Sequence, residues 1–407
     1  VEVAFDPGEV VEYDVAYERA LSALRELASV AESLGVSIGV ENVWNRFLLS
    51  PIEILQENFG AAAGFFLRIA SFITSELSNS PGAQLTLGPF PVPILILLGC
   101  LFGCLTLVSK NLIYRKLSLL SLLLIAFSFF AQGFFQLLFP AYKITFIDVG
   151  QGDSILLETP SQKNFLFDAG NGGKKNDAGN KIIPFLRQSG INSLDAVIIT
   201  HPDADHFGGL SKLIEDFPIA EIWISECARI EEKPTWQAIL QKALQTNIPI
   251  RDISAGFYYQ EKNLFLEALH PNALRCGETN KESITFQVSG FKKSIILTGD
   301  LTVEGENEIL KRHMIYKTNI LKLGHHGSKT SSSKDFLLET NPEYAIISSG
   351  KKNRYKHPSK EILERLDSLK IPYLNTAKNG SIFVEVSKKG MTLSAMDGFT
   401  QFWRNEK

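Results

Sequence analysis

The segment HPDADH at residues 201–206 follows directly on an apolar run at residues 196–200, and it constrains the fold more than any other part of the sequence. Imidazoles and carboxylates crowded at the end of a buried strand are costly unless they hold a cation. Side chains alternate along a strand and a loop can fold them back. Donors spaced two apart, with one adjacent pair, can therefore converge on a small volume. Without a cation, Asp203 and Asp205 would repel each other until one stayed protonated. The plainer reading is a surface loop in which an Asp caps a helix starting near Phe207, with Gly208 and Gly209 as turn residues. Two further strand ends weigh against it. A β-type run at residues 294–298 stops at Gly299 and Asp300, and another at residues 320–323 ends in Gly324, His325, His326 and Gly327. Asp300 is a candidate bridging ligand. Adjacent side chains diverge, so one of His325 and His326 is expected to ligate while the other faces substrate or supports a ligand.

These segments stand in one order with FIDVGQGDS (146–154), FDAG (167–170), LTGD (297–300), LGHHGSKTSSS (323–333) and HPS (357–359). In that order, residues 144–403 resemble the metallo-β-lactamase-like domain of the ComEC family of DNA-uptake channel proteins. The resemblance implies a ligand set drawn from His201, Asp203, Asp205, His206, Asp300, His325 and His326, holding two divalent metal ions. The superfamily pattern is HxHxDH, and Asp203 stands here at its middle histidine. An oxygen donor with a negative charge shifts the preference from zinc, still possible, toward manganese or magnesium. The superfamily's further histidine, between the first cluster and the GD turn, has one candidate, His270. Asn280 and Ser283 stand where the strand resumes, so the site can also lack this ligand.

Two cations a few ångströms apart can share a water, lower its pKa and present hydroxide as nucleophile. Asp205 is placed to ligate and to relay the proton, with His206 beside it as a second catalytic residue. Lys329, Lys334, Lys351, Lys352, Arg354, Lys356 and Lys360 outnumber the acids near the histidine pair, which favours a phosphodiester substrate over a merely solvated face. Tyr344, Tyr355 and Tyr373 could stack bases or form core edges. DVGQGDS reads as a hairpin turn, and the resemblance places it beside the site. Asp153, Lys329 and His357 are the expected substrate contacts. Asp168, at the end of its strand, is expected to buttress the HPDADH loop through hydrogen bonds. β-runs followed by helices, twice over, suit an α+β, four-layer αββα sandwich with the site at one edge of two sheets.

The rest of the 407-residue chain differs in character. Residues 91–108 and 117–139 are uncharged apolar runs long enough for transmembrane helices. The loop between them carries Lys110, Arg115 and Lys116, so it is expected in the cytoplasm, with the following domain on the external side of the plasma membrane. Residues 59–77 form an apolar, partly amphipathic segment. The four cysteines, Cys100, Cys104, Cys227 and Cys276, have no metal-type spacing and do not establish a disulfide. Residues 17–34 read as a helix and 36–40 as a short strand. With Glu41 they resemble a fragment of a sugar-phosphate isomerase-like TIM barrel, too short to close one. The expected organisation is therefore residues 1–52 as an unrelated fragment without activity, 53–140 as the end of a membrane channel region, and 141–407 as the metal-dependent domain.

The function expected from the resemblance is a membrane-tethered, metal-dependent nuclease acting on DNA, a single strand in particular, during competence uptake. Its partners would be the competence machinery, including a channel region missing from this chain. The alternatives are a channel subunit that guides DNA without catalysis and a hydrolase of a smaller phosphodiester.

Overall fold

A computed structural model describes residues 13–34 and 140–404, apart from 174–176, 273–275, 277–279, 313–316 and 352, together with isolated positions between 99 and 127. The chain divides into two compact units, Val1–Leu85 and Thr86–Lys407. In the first, the helix Tyr13–Leu34 covers the expected helix at residues 17–34. The strand at 36–40, Glu41 and the segment 59–77 lie outside the described residues. So do the two apolar runs, except for scattered helical positions. Among the described residues, no helix is long and apolar enough to cross a membrane.

The second unit contains two sheets. The larger takes strands β1 (Ala141–Phe146), β2 (Ile155–Glu158), β3 (Asn164–Phe167), β4 (Ala196–Ile198), β5 (Ile222–Ser225) and β6 (Ile250–Ile253). The smaller takes β7 (Tyr258–Glu261), β8 (Leu264–His270), β9 (Thr285–Gly290), β10 (Lys293–Leu297), β11 (Ile320–Lys322), β12 (Tyr344–Ile347) and β13 (Tyr373–Asn375). The chain then returns to the larger sheet as β14 (Ile382–Ser387), β15 (Gly390–Ala395) and β16 (Thr400–Arg404). The strand orders are β16-β15-β14-β1-β2-β3-β4-β5-β6 and β13-β12-β11-β10-β9-β8-β7. In each sheet an antiparallel portion passes into a parallel one, β3 to β6 in the larger and β10 to β13 in the smaller.

The period of two along the strands explains the layers. Phe165, Phe167, Ala196 and Ile198 point into a core shared with Phe286, Val288, Ile295 and Leu297 of the facing sheet. Their neighbours Leu166, Val197 and Ile199 point outward onto the helices Gly179–Gln188, Leu210–Asp216 and Pro234–Gln245. On the smaller sheet Ile296, Leu321, Ala345 and Ile347 meet Ile309, Phe336, Leu337, Ile362 and Leu366, from the helices Val303–Lys311, Lys334–Thr340 and Lys360–Ser368. The parallel strands are buried on both faces, so they read as continuous apolar runs, not as alternating ones. The result is the expected αββα sandwich. The motif loops follow the ends of β1, β3, β4, β10, β11 and β12. Side-chain donors thus gather at the carboxyl ends of the parallel strands, where open α/β sheets leave a crevice.

Candidate metal centre

Three histidines are oriented by their inner ring nitrogens. His206 Nδ1 donates to Asp168 Oδ2 at 2.7 Å. His326 Nδ1 donates to the Ser348 carbonyl at 3.0 Å. Thr200 Oγ1 donates to Asp168 Oδ2 and so accepts from His201 Nδ1 at 3.1 Å. A carboxylate, a carbonyl and a committed hydroxyl can only accept here, so each Nδ1 carries hydrogen and each Nε2 is turned to the centre. Asp168 also accepts from the Thr200 amide at 2.8 Å, which confirms it as the buttress of the loop.

The turned-in atoms meet. His206 Nε2 lies 3.2 Å from Asp300 Oδ1, and His326 Nε2 lies 3.2 Å from Asp205 Oδ2 and 3.5 Å from Asp300 Oδ2. Groups of donors close enough to share an ion include His201, His206 and Asp300, and also Asp205, His206 and His326. His201 Nε2, His206 Nε2 and Asp300 Oδ1 are buried without a hydrogen-bond partner. Buried polar atoms are rarely left so, and the donor set of imidazole and carboxylate fits a divalent cation.

Backbone geometry allows this convergence. A Cβ on Gly152 would fall on the Asp205 carbonyl, so the DVGQGDS turn can approach the HPDADH loop only with glycine there. His325 and His326 both have left-handed backbones, φ 46° and 54°. This costs about 1–3 kcal/mol per residue and separates the two rings. His326 goes inward, while His325 stays on the rim, 28 % exposed, its Nε2 3.8 Å from Asp300 and its Nδ1 near Thr330.

Charge supports the same picture. Burial lowers the affinity of the His206 and His326 rings for protons. The opposing charges of Asp300 with Asp168, and of Asp300 with Asp153, win, holding His206 well above the usual imidazole range and His326 at about 10. Burial would raise the Asp300 carboxyl, but His206 and His326 hold it well below the carboxylate range. Asp205 is likewise depressed, against its burial, by the His326 hydrogen bond and the charge of His206.

Several expected residues take other positions. Asp153, an expected substrate contact, is fully buried, ion-paired with Lys322 and close to donors in the groups Asp153–Asp168–His206 and Asp153–Asp300–His326. Asp203 lies 3.6 Å from His201 Nε2 but is drawn outward to Lys233 Nζ at 2.6 Å, and it belongs to none of the close donor groups among the described residues. His270 is buried away from the centre, against the Ser283 carbonyl at 3.3 Å and Glu308 at 3.5 Å. Lys329 is exposed and does not line the groove over the cluster. Of the basic run, Lys351 and Arg354 do line it, while Lys360 pairs with Glu364 at the surface. His357 reaches the rim, its ring 5.7 Å from that of His325.

Sequence reasoning missed Lys322. It is fully buried, donates to the Gly299 carbonyl at 2.7 Å and lies 4.0 Å from Asp300. The signal was a lysine ending an otherwise apolar buried strand, which demands a buried partner. A disulfide joins Cys227 to Cys276, a pairing the spacing could not reveal.

Residues 147–351, half of the chain, match the sequence model of the Metallo-beta-lactamase superfamily, and the chain belongs to that superfamily. Among curated relatives it is 35 % identical over 253 residues to ComE operon protein 3 of Bacillus subtilis, covering 59 % of this chain and 32 % of that protein. It is 32 % identical over 252 residues to Recombination protein 2 of Haemophilus influenzae, covering 62 % of this chain and 30 % of that one. Competence protein ComA of Neisseria gonorrhoeae is 27 % identical over 376 residues, covering 89 % of this chain and 49 % of that one. These relatives bear out the resemblance to the ComEC family. The chain spans about a third of the length of the first two and half of the third.

Proposed function

We propose that the chain is a membrane-tethered, metal-dependent phosphodiesterase that cleaves DNA during uptake. The observation that carries this reading is the set of orphaned donors, His201 Nε2, His206 Nε2 and Asp300 Oδ1, grouped with Asp205, which lines a groove of about 840 Å³ whose walls also carry Lys181, Lys351 and Arg354. Two divalent ions would be held by His201, Asp205, His206, Asp300 and His326, with Asp203 completing the outer position if it leaves Lys233. Bound there, such ions acidify water and neutralise a phosphate. Asp205, 26 % exposed and facing the groove, orients the attacking water and accepts its proton. Lys351 and Lys181 hold the phosphate chain. His326, fixed by Ser348, keeps Asp205 in place.

The relatives named as competence proteins support DNA as the substrate and the competence machinery as the setting. Such a setting supports a location at the plasma membrane. The Cys227–Cys276 disulfide supports the external side, since disulfides persist in oxidising compartments.

The test uses the full chain in detergent, stripped of metal and supplied with manganese, magnesium or zinc, with end-labelled DNA as substrate. Cleavage with manganese or magnesium that is lost in Asp205→Ala and Asp300→Ala is expected. DNA binding without cleavage under any metal would contradict the proposal and favour a guiding role.

A further inference from the structure

The outer wall of the groove carries Gly350, Lys351, Asn353, Arg354 and Tyr355. Tyr355 is 51 % exposed on it. One step inward its ring stacks on His357, with centroids 5.8 Å apart and planes at 16°. His357 meets His325 edge-on, and His325 faces Asp300. A line of rings therefore leads from solvent to the donor cluster. The Arg354 guanidinium lies over the Tyr355 ring, 4.7 Å from its centroid, and donates to its hydroxyl, so the ring supports an exposed cationic plane.

The loop is held before any ligand arrives. Asn353 Nδ2 donates to the carbonyls of Gly350 at 2.9 Å and His357 at 2.8 Å, and its Oδ1 accepts from the His357 amide at 2.7 Å. The Gly350 amide donates to Gln151 Oε1 at 3.3 Å, which ties the loop to the opposite turn. Little ordering remains to oppose binding at this face. An exposed guanidinium plane backed by an aromatic ring, beside the ammonium of Lys351, matches a nucleotide better than a bare phosphate ester.

Resting on the phosphodiesterase reading, we propose that Tyr355 and Arg354 form a nucleobase subsite that selects unpaired strands. An unpaired base stacks on this face while its phosphate lies against Lys351, and the chain continues past His357 to the cluster. A base inside a duplex keeps both faces covered by its neighbours, so it reaches Tyr355 only after leaving the stack.

The test measures binding in the absence of metal, where nothing is cleaved. The full chain in detergent is titrated into a short single strand carrying 2-aminopurine, and into the same strand paired with its complement. The single strand is expected to bind more tightly and to lose fluorescence as the base stacks. Tyr355→Ala should weaken single-strand binding about tenfold and abolish the quenching and the preference over duplex, whereas Tyr355→Trp should retain both. An unchanged preference in a folded Tyr355→Ala protein would overturn the subsite. Base stacking by a chain that hydrolyses no ester would contradict the phosphodiesterase and leave the subsite standing. Hydrolysis with an unchanged preference in Tyr355→Ala would do the reverse.

Discussion

The two halves of the donor cluster are built to different standards. In the inner half, His206, His326 and Asp300 are buried and fixed by Asp168, Ser348 and the Asp153–Lys322 pair. In the outer half, His201 is fixed by Thr200, but Asp203 is one-third exposed and engaged by Lys233. An ion entering the inner half finds its ligands already in place. One entering the outer half has to compete with an ammonium for a carboxylate. Ligand identity alone does not set affinity; what each ligand is already doing sets it as well.

The largest effect should come from the shared ligand. Asp300 belongs to two of the donor groups, so Asp300→Ala should lower manganese affinity by more than about a hundredfold in calorimetry, beyond the range for losing a supporting residue. Next is Lys322→Met, which removes the buried ammonium beside Asp153 and leaves its carboxylate only the neighbouring His326 and His206 rings. Thermal unfolding of the metal-free protein should show a loss of about 3–5 kcal/mol. The double substitution Asp153→Asn with Lys322→Met should recover most of that loss, and no recovery would mean that Lys322 acts through packing instead of charge. Lys233→Ala acts on the outer half alone. Removing the Lys233 pair from Asp203 should tighten the weaker ion by up to about fivefold, the worth of a half-exposed ion pair, with the tighter ion unchanged.

Acidity gives two smaller tests. The folded pKa of His326, about 10, lies above its ordinary value of 6.5. Its contribution to the metal-free fold is therefore complete below about pH 6.5 and is lost as pH rises through about 10. Manganese must displace protons from the rings, so its affinity should rise over the same interval. Stability of the stripped protein that rises between about pH 6.5 and 10 would contradict this charge assignment. Glu282 is outside the cluster, in a separate pocket with Glu231 and Glu232, and burial pushes its carboxyl up to about 7. Ionising it disfavours the fold, an effect absent below about pH 4.5 and complete above about 7. Glu282→Gln should slightly raise the melting temperature at pH 8 and leave it unchanged at pH 4.

The sandwich was legible because strands buried on both faces leave apolar runs, and the donors were legible because they lie at the ends of those runs. Asp168 was also legible as a buttress, from its place at a strand end. The burial of Asp153 was not legible, because its partner is a lysine 169 positions away in another sheet. Asp203 was misread in emphasis for a similar reason. Its competitor Lys233 sits on an intervening segment that carries no motif. Side chains supplied by the motif are visible in sequence, whereas those that restrain them come from elsewhere in the fold.

The account turns on an unequal pair of ions, and calorimetric titration of manganese into the stripped, full chain tests it most directly. Two ions per chain in separable steps, with only the weaker step moved by Lys233→Ala, is the predicted result. A single step, two equal sites, or no binding would contradict it.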